Sequence, residues 1–256
     1  RTMLKRFHPV PGIFQAWGGL DDPNERGRTI IDSLMNMPLL YWASRETGDL
    51  RYQQAAFRHT CQLRDHFIRP DHTTFHTYYF DVVTGAGVRG RTAQGARDDS
   101  CWARGQAWGI YGFTLNYRHT GDASLLQTAC QLADYFLAHL PVDKVAYWDL
   151  IFGEGSGEER DSSAAAIAVC GLMEMADLLP PGSEQGSAYR AAALEILASL
   201  AASYTSQDQP QSNAILLHGV GHKPGGVGID EASLWGDYYY LEALTRLKLP
   251  GWTLYW

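Results

Sequence analysis

Apolar residues recur at three- and four-residue intervals along most of this chain, and that helical period divides it into pairs of helices. The segment 26–45, RGRTIIDSLMNMPLLYWASR, reads as a first helix that closes at Thr47-Gly48-Asp49. There Gly48 suits a left-handed stop and Asp49 a cap for the next helix, residues 50–68. Residues 73–83, TTFHTYYFDVV, are aromatic and β-branched and read as extended. A second pair follows at 100–119 and 124–140, again separated by Thr-Gly-Asp, 73 residues after the first such turn. The third pair spans 162–179 and 184–204 across Pro180-Pro181-Gly182. A glycine-rich loop, 218–228, precedes a last helix at 231–247.

The two helices of each pair differ. ARGQAWGIYGF and SSAAAIAVCGLMEM carry few charges, whereas LRYQQAAFRHTCQLRDHF is amphipathic. A helix with little polar surface is buried on most sides, so an inner layer wrapped by an outer one is expected. The inner helices 26–46, 100–119, 162–179 and 231–247 should then be less exposed than their partners. That pattern is an all-α toroid, and several unrelated enzyme classes use it, so layering does not assign function.

Composition narrows the field. With 256 residues, 45% of them hydrophobic, and no linker or low-complexity tract, the chain reads as a single domain, 1–256. Its net charge of -7 offers no basic face for nucleic acid. No apolar run is long enough to span a bilayer and no leader opens the sequence. Cys61, Cys101, Cys130 and Cys170 lack metal-ligand spacing and read as free thiols in a reducing, cytoplasmic setting, with the periplasm as the alternative. The 8 Trp, 14 Tyr and 9 Phe suggest a surface on which flat ligands stack. No P-loop, dinucleotide fingerprint, zinc motif or nucleophile elbow is present, and no cofactor is expected.

Polar residues in apolar surroundings are the candidates for chemistry. Asp32 lies in the first half of an inner helix, where it suits either a catalytic acid or a dipole partner. His76 sits among aromatics, as a ligand-facing group or a hydrogen-bonded core histidine. Gln94 precedes Asp98 and Asp99. Arg104 and Trp108 are four apart and share a helix face, which fits pairing a carboxylate while stacking on a sugar; ordinary ion pairing and packing are the alternatives. Asp98, Asp99, Asp161 and Asp230 precede inner helices and read as caps. Lys223, with His218 and His222, suits either a second anionic group or a plain flexible connection.

The segments DSLMNMPLLYWA (32–43), FHTYYFD (75–81), DDSCWARGQAWGIYGF (98–113), YWD (147–149), DSSAAAIAV (161–169) and WGDYYYLEAL (235–244) resemble the unsaturated glucuronyl hydrolases of glycoside hydrolase family 88. The resemblance implies an (α/α)6 barrel in which Asp32 is the acid/base. His76, Gln94, Arg104 and Trp108 would line the subsite for an unsaturated uronate. It also implies a second essential aspartate on an earlier helix, for which this chain has no counterpart segment. With roughly seven full helices where six hairpins need twelve, the barrel reads as lacking its N-terminal helices.

The implied substrate is a lyase-generated oligosaccharide ending in a 4,5-unsaturated uronate, taken by a monomer or weak homo-oligomer. Its vinyl ether is hydrated after protonation at C4, and the resulting hemiketal opens to release the aglycone. The competing readings are a related unsaturated rhamnogalacturonyl hydrolase, a sugar-binding protein or fragment without turnover, and a purely structural toroid.

Overall fold

The computed structural model describes residues 2–249 and 251–254. Strands β1 (Phe7–His8) and β2 (Ile13–Phe14) form a short hairpin, and β3 (Arg28–Ile30) runs into a 3₁₀ turn, Ile31–Asn36. Helices α1 (Met37–Thr47) and α2 (Arg51–Phe67) follow, then β4 (Thr77–Phe80) and β5 (Gly87–Arg91). The rest comprises α3 (Ala103–Thr120), α4 (Ala123–Ala138), α5 (Ser162–Leu178), α6 (Glu184–Ser203), β6 (Gly219–His222), β7 (Val227–Glu231) and α7 (Leu234–Lys248). α1 with α2, α3 with α4 and α5 with α6 pack as hairpins, while α3 lies on α5 and α5 on α7. This is the helical architecture of an α/α toroid, with three small antiparallel sheets among the described residues set into its loops.

The turns follow from sequence. Gly48 and Gly121 end α1 and α3 with φ of 71° and 69°, a conformation that costs other residues a Cβ clash. Asp122 caps α4 by accepting from Ser124 N. Asp161 caps α5 by accepting from Ser163 N and Ala164 N. The other three acidic residues expected as caps do different work. Asp98 accepts from Thr92 N, Asp99 pairs with Arg97, and Asp230 pairs with His218.

Layering holds at the centre. Every residue from 103 to 116 and from 162 to 175 is buried, far more than in α4 or α6. It does not hold for α7, which buries only Gly236, Tyr240, Glu242 and Ala243 and leaves Trp235, Tyr238 and Leu241 exposed. α7 meets neighbouring helices mainly on its α5 side. One apolar core nevertheless runs from Ile13 to Ala243, with a smaller cluster between α1 and α2.

The first predicted helix also divides. Residues 28–30 pair with β4 (Thr29 opposite Tyr78) instead of coiling. Pro38 stands in the first turn of α1. Proline has no N–H to return to residue 34, so the α-helix starts there and Ile31–Asn36 stays 3₁₀. Asp32 therefore sits on a tight turn ahead of the helix. The four cysteines are free thiols, three of them buried. Among the described residues, no helix is long and apolar enough to cross a membrane.

Candidate active site

The N-terminal ends of α3, α5 and α7 meet at one end of the structure. Arg104 at the start of α3 pairs with Asp161 at the cap of α5 (2.9 Å), and Trp235 of α7 donates from Nε1 to Ser163 Oγ (3.1 Å). The 3₁₀ turn and the segment before β4 bring Asp32 and His76 to the same region, where Asp32 Oδ2 lies 3.9 Å from His76 Nε2.

The state of His76 follows from its hydrogen bonds. Ala93 N and Gln94 N both donate to Nδ1, at 3.0 and 3.2 Å, so the proton of the neutral ring is on Nε2, facing Asp32. Burial, reinforced by the positive fields of Arg28 and Arg104, pushes the imidazole down to about 3, so it stays neutral. Asp32 is shifted the other way. Its surroundings remove water from the carboxyl and push it up to about 6, with Arg104 opposing the rise. The side chain keeps 29% of its surface open, but Oδ2 is buried and without a hydrogen-bond partner.

Two further polar atoms are buried and unpartnered, His76 Nε2 beside Asp32 and Trp108 Nε1 one turn along α3 from Arg104. Buried polar groups normally find partners, so the unpartnered His76 N–H beside the Asp32 carboxyl is prepared for a polar guest. Aromatic rings surround it. Trp102 lies 4.4 Å from the His76 ring, Trp17 meets that ring edge-on at 5.9 Å, and Tyr239 meets Trp108 edge-on at 5.3 Å.

Of the five residues expected in the site, Asp32 and His76 face each other directly. Gln94 fixes the His76 tautomer through its backbone and donates from Nε2 to Gly221 O (2.8 Å). Trp108 presents its unpaired indole N–H. Arg104 is more committed than its pattern suggested. Its Nη1 meets Asp161 and Val220 O, and its Nη2 donates to Gly221 O (2.7 Å), so it latches β6 as well as carrying charge. The glycine-rich loop is the β6–β7 hairpin, not a free connection. Its polar groups are not waiting for an anion: Lys223 pairs with Glu158 and Glu159, His218 with Asp230, and His222 Nε2 meets Ala93 O.

Pattern reading missed three contributors. Trp17 stands outside any periodic segment, in QAWGG, where a lone tryptophan in a glycine loop was the available signal. Arg28 lies over its ring at 4.3 Å and is anchored by Glu25. Asp149, fully buried, accepts from Ala96 N and Ser100 Oγ and so shapes the loop leading into α3.

The profile of Glycosyl Hydrolase Family 88 matches residues 11–175. The unsaturated chondroitin disaccharide hydrolase of Streptococcus pyogenes serotype M1 is 48% identical over 254 residues, which are 99% of this chain and 63% of that protein. The crystal structure of unsaturated glucuronyl hydrolase from Streptococcus agalactiae superposes with a TM-score of 0.95 at 45% identity, covering 99% of this chain and 64% of that one. The glycosaminoglycan-degrading unsaturated glucuronyl hydrolase of Bacillus sp. GL1 gives 0.94 at 44% identity, covering 96% and 65%. The chain thus spans a little under two thirds of the length of each of these relatives.

Proposed function

We propose, from the premise that this chain belongs to glycosyl hydrolase family 88, that it serves the hydrolytic removal of a terminal 4,5-unsaturated uronate from lyase-generated oligosaccharides. The observation that carries the reading is the Asp32 carboxyl, pushed up to about 6 and 3.9 Å from the unpaired N–H of His76, whose ring packs against Trp102 and Trp17. A carboxyl in that range is partly protonated near neutrality, as a general acid needs, and returns readily as a base.

In this reading Asp32 delivers its proton to C4 of the vinyl ether. Positive character develops at C5 and the ring oxygen, and water adds at C5. The Asp32 carboxylate takes the proton from that water. The hemiketal opens, C1 becomes a hemiacetal, and the aglycone leaves. The anomeric carbon is never attacked, so a second carboxylate nucleophile is not required for this step. His76, neutral with Nε2–H directed at Asp32, steadies the carboxylate form. Trp17, Trp102 and Trp108 supply ring surface. Gln94 and Arg104 line the uronate subsite and hold β6 over it.

An aglycone of the chondroitin type is the first to test, because the Streptococcus pyogenes relative bears that name. The free thiols suit a cytoplasmic location. The test is loss of the ultraviolet absorbance of the conjugated enol-ether acid when the chain is mixed with unsaturated chondroitin disaccharide. Turnover by the native chain and none by Asp32→Asn supports the reading. Binding without turnover by the native chain would make this polypeptide a sugar-binding unit instead.

A further inference from the structure

We propose that His59, on α2, is a positioning residue for Asp32: its buried imidazole, together with Thr60 and Asn116, clamps the 3₁₀ turn that carries the acid. The inference rests on the reading of Asp32 as the acid. It assigns the control of that acid's placement to a group that lies outside the uronate subsite.

A 3₁₀ turn is held by poorer hydrogen bonds than an α-helix and needs help to keep one shape. Here the help comes from behind. His59 is fully buried, and its Nδ1 accepts from Phe14 N (3.2 Å). The ring proton therefore sits on Nε2, which donates to Ser33 Oγ (2.7 Å), and the Ser33 hydroxyl donates in turn to Ile30 O (2.5 Å). Desolvation pushes His59 down to about 3, so this neutral tautomer persists through the working range.

The same imidazole reaches both walls of the site. Through Ser33 it holds the residue next to Asp32. Through Phe14 it holds the strand that leads to Ala16, whose N–H donates to Arg28 O (2.8 Å), and then to Trp17 against His76. The far end of the turn is fixed separately. Asn116 of α3 donates from Nδ2 to Leu34 O (3.2 Å), and its Oδ1 accepts from Thr60 (2.8 Å). Ile30 and Leu34 thus have their carbonyls tied down on either side of Asp32.

α3 is shaped to receive the turn. A Cβ built on Gly112 would lie 2.5 Å from Leu34 Cβ, and one on Gly105 would lie 3.5 Å from Ile31 Cγ2. At Gly112 the turn rests on bare backbone, so its height above α3 is set there without an intervening side chain, while at Gly105 the spacing is ordinary contact. The charged and titratable groups that face Asp32 are His76, from the segment before β4, and Arg104, from α3. His59 touches neither in its hydrogen bonding, so replacing it leaves both partners in place.

The test uses the full chain with His59→Leu, His59→Gln and Ser33→Ala. The Asp32 carboxyl is followed by ¹³C NMR against pH and assigned with Asp32→Asn; folding is checked by thermal unfolding. If the clamp positions the acid, His59→Leu and Ser33→Ala let water reach the carboxyl and its titration falls from about 6 toward about 4, the ordinary range. His59→Gln, whose amide can accept from Phe14 and donate to Ser33, restores the native value. With unsaturated disaccharide, kcat in His59→Leu should fall about tenfold or more with KM little changed, and the descending limb of its pH profile should move down with the carboxyl.

An unchanged titration and unchanged kcat in a folded His59→Leu protein overturns the proposal. Should that variant fail to fold, Ser33→Ala decides by the same two readouts. A native chain without turnover that still shows the titration shifts refutes the functional reading and upholds this one, because the titration needs no substrate.

Discussion

Replacing Asp32 by asparagine should stabilise the fold at neutral and alkaline pH, even as it removes the proposed acid. In the unfolded chain this carboxyl ionises near its ordinary value of 3.8, but in the folded protein desolvation holds it at about 6. The folded state therefore binds the proton more tightly. Below pH ~4 the group is protonated in both states and costs nothing by ionising. As pH rises from about 4 to 6, the unfolded chain releases its proton first and native stability drops; above about 6 the loss levels off. That gap corresponds to about 3 kcal/mol. Since 29% of the side chain remains open, screening by water reduces the expected figure to about 2 kcal/mol. The substituted amide has no such titration. Urea unfolding of both proteins from pH 4 to 8 should show the variant gaining about 2 kcal/mol relative to the native chain across that interval. A stability difference independent of pH would refute the claim that the site raises this carboxyl.

Other consequences follow from the same geometry. Arg104→Ala should destabilise the protein by about 3–5 kcal/mol in denaturant unfolding, because it strands the fully buried Asp161 and frees two carbonyls of β6. Arg104→Lys should recover only part, since an ammonium lacks the fork that spans them. Gly112→Ala should cost about 1–3 kcal/mol by driving a methyl into Leu34, despite the better helix propensity of alanine, and should lower turnover with it. Trp17→Ala, at a half-open position, should leave unfolding almost unchanged. It should weaken binding of unsaturated disaccharide about fivefold to tenfold, measured by calorimetry in the Asp32→Asn background.

Much of the helical frame was legible because it rests on local chemistry. Thr-Gly-Asp turns supply a left-handed stop at both sites and a cap at Asp122, with Asp49 accepting from Arg51 N just ahead of the Leu50 N-cap. The low charge of 103–116 and 162–175 marks helices enclosed on all sides. The 3₁₀ turn was hidden because the periodicity of residues 26–45 is satisfied equally by a strand and turn whose partner, β4, lies far along the chain. At the site, motif resemblance brought together Asp32, His76, Gln94, Arg104 and Trp108, and the structure sets the first two 3.9 Å apart. Sequence had no means of showing that Arg104 is already engaged, since Asp161 and the hairpin carbonyls are 57 and more residues away. The charge of Lys223 was visible and its neutralisation by Glu158 and Glu159 was not, for the same reason.

The central claim is that Asp32 protonates C4 and that bond breaking follows hydration, and isotope transfer tests it most directly. Unsaturated chondroitin disaccharide incubated with the native chain in D₂O should give, at early times, a product carrying one deuterium at C4 in a single configuration, and Asp32→Asn should give none. Release of the aglycone with the C4=C5 bond intact and no deuterium at C4 would contradict the account.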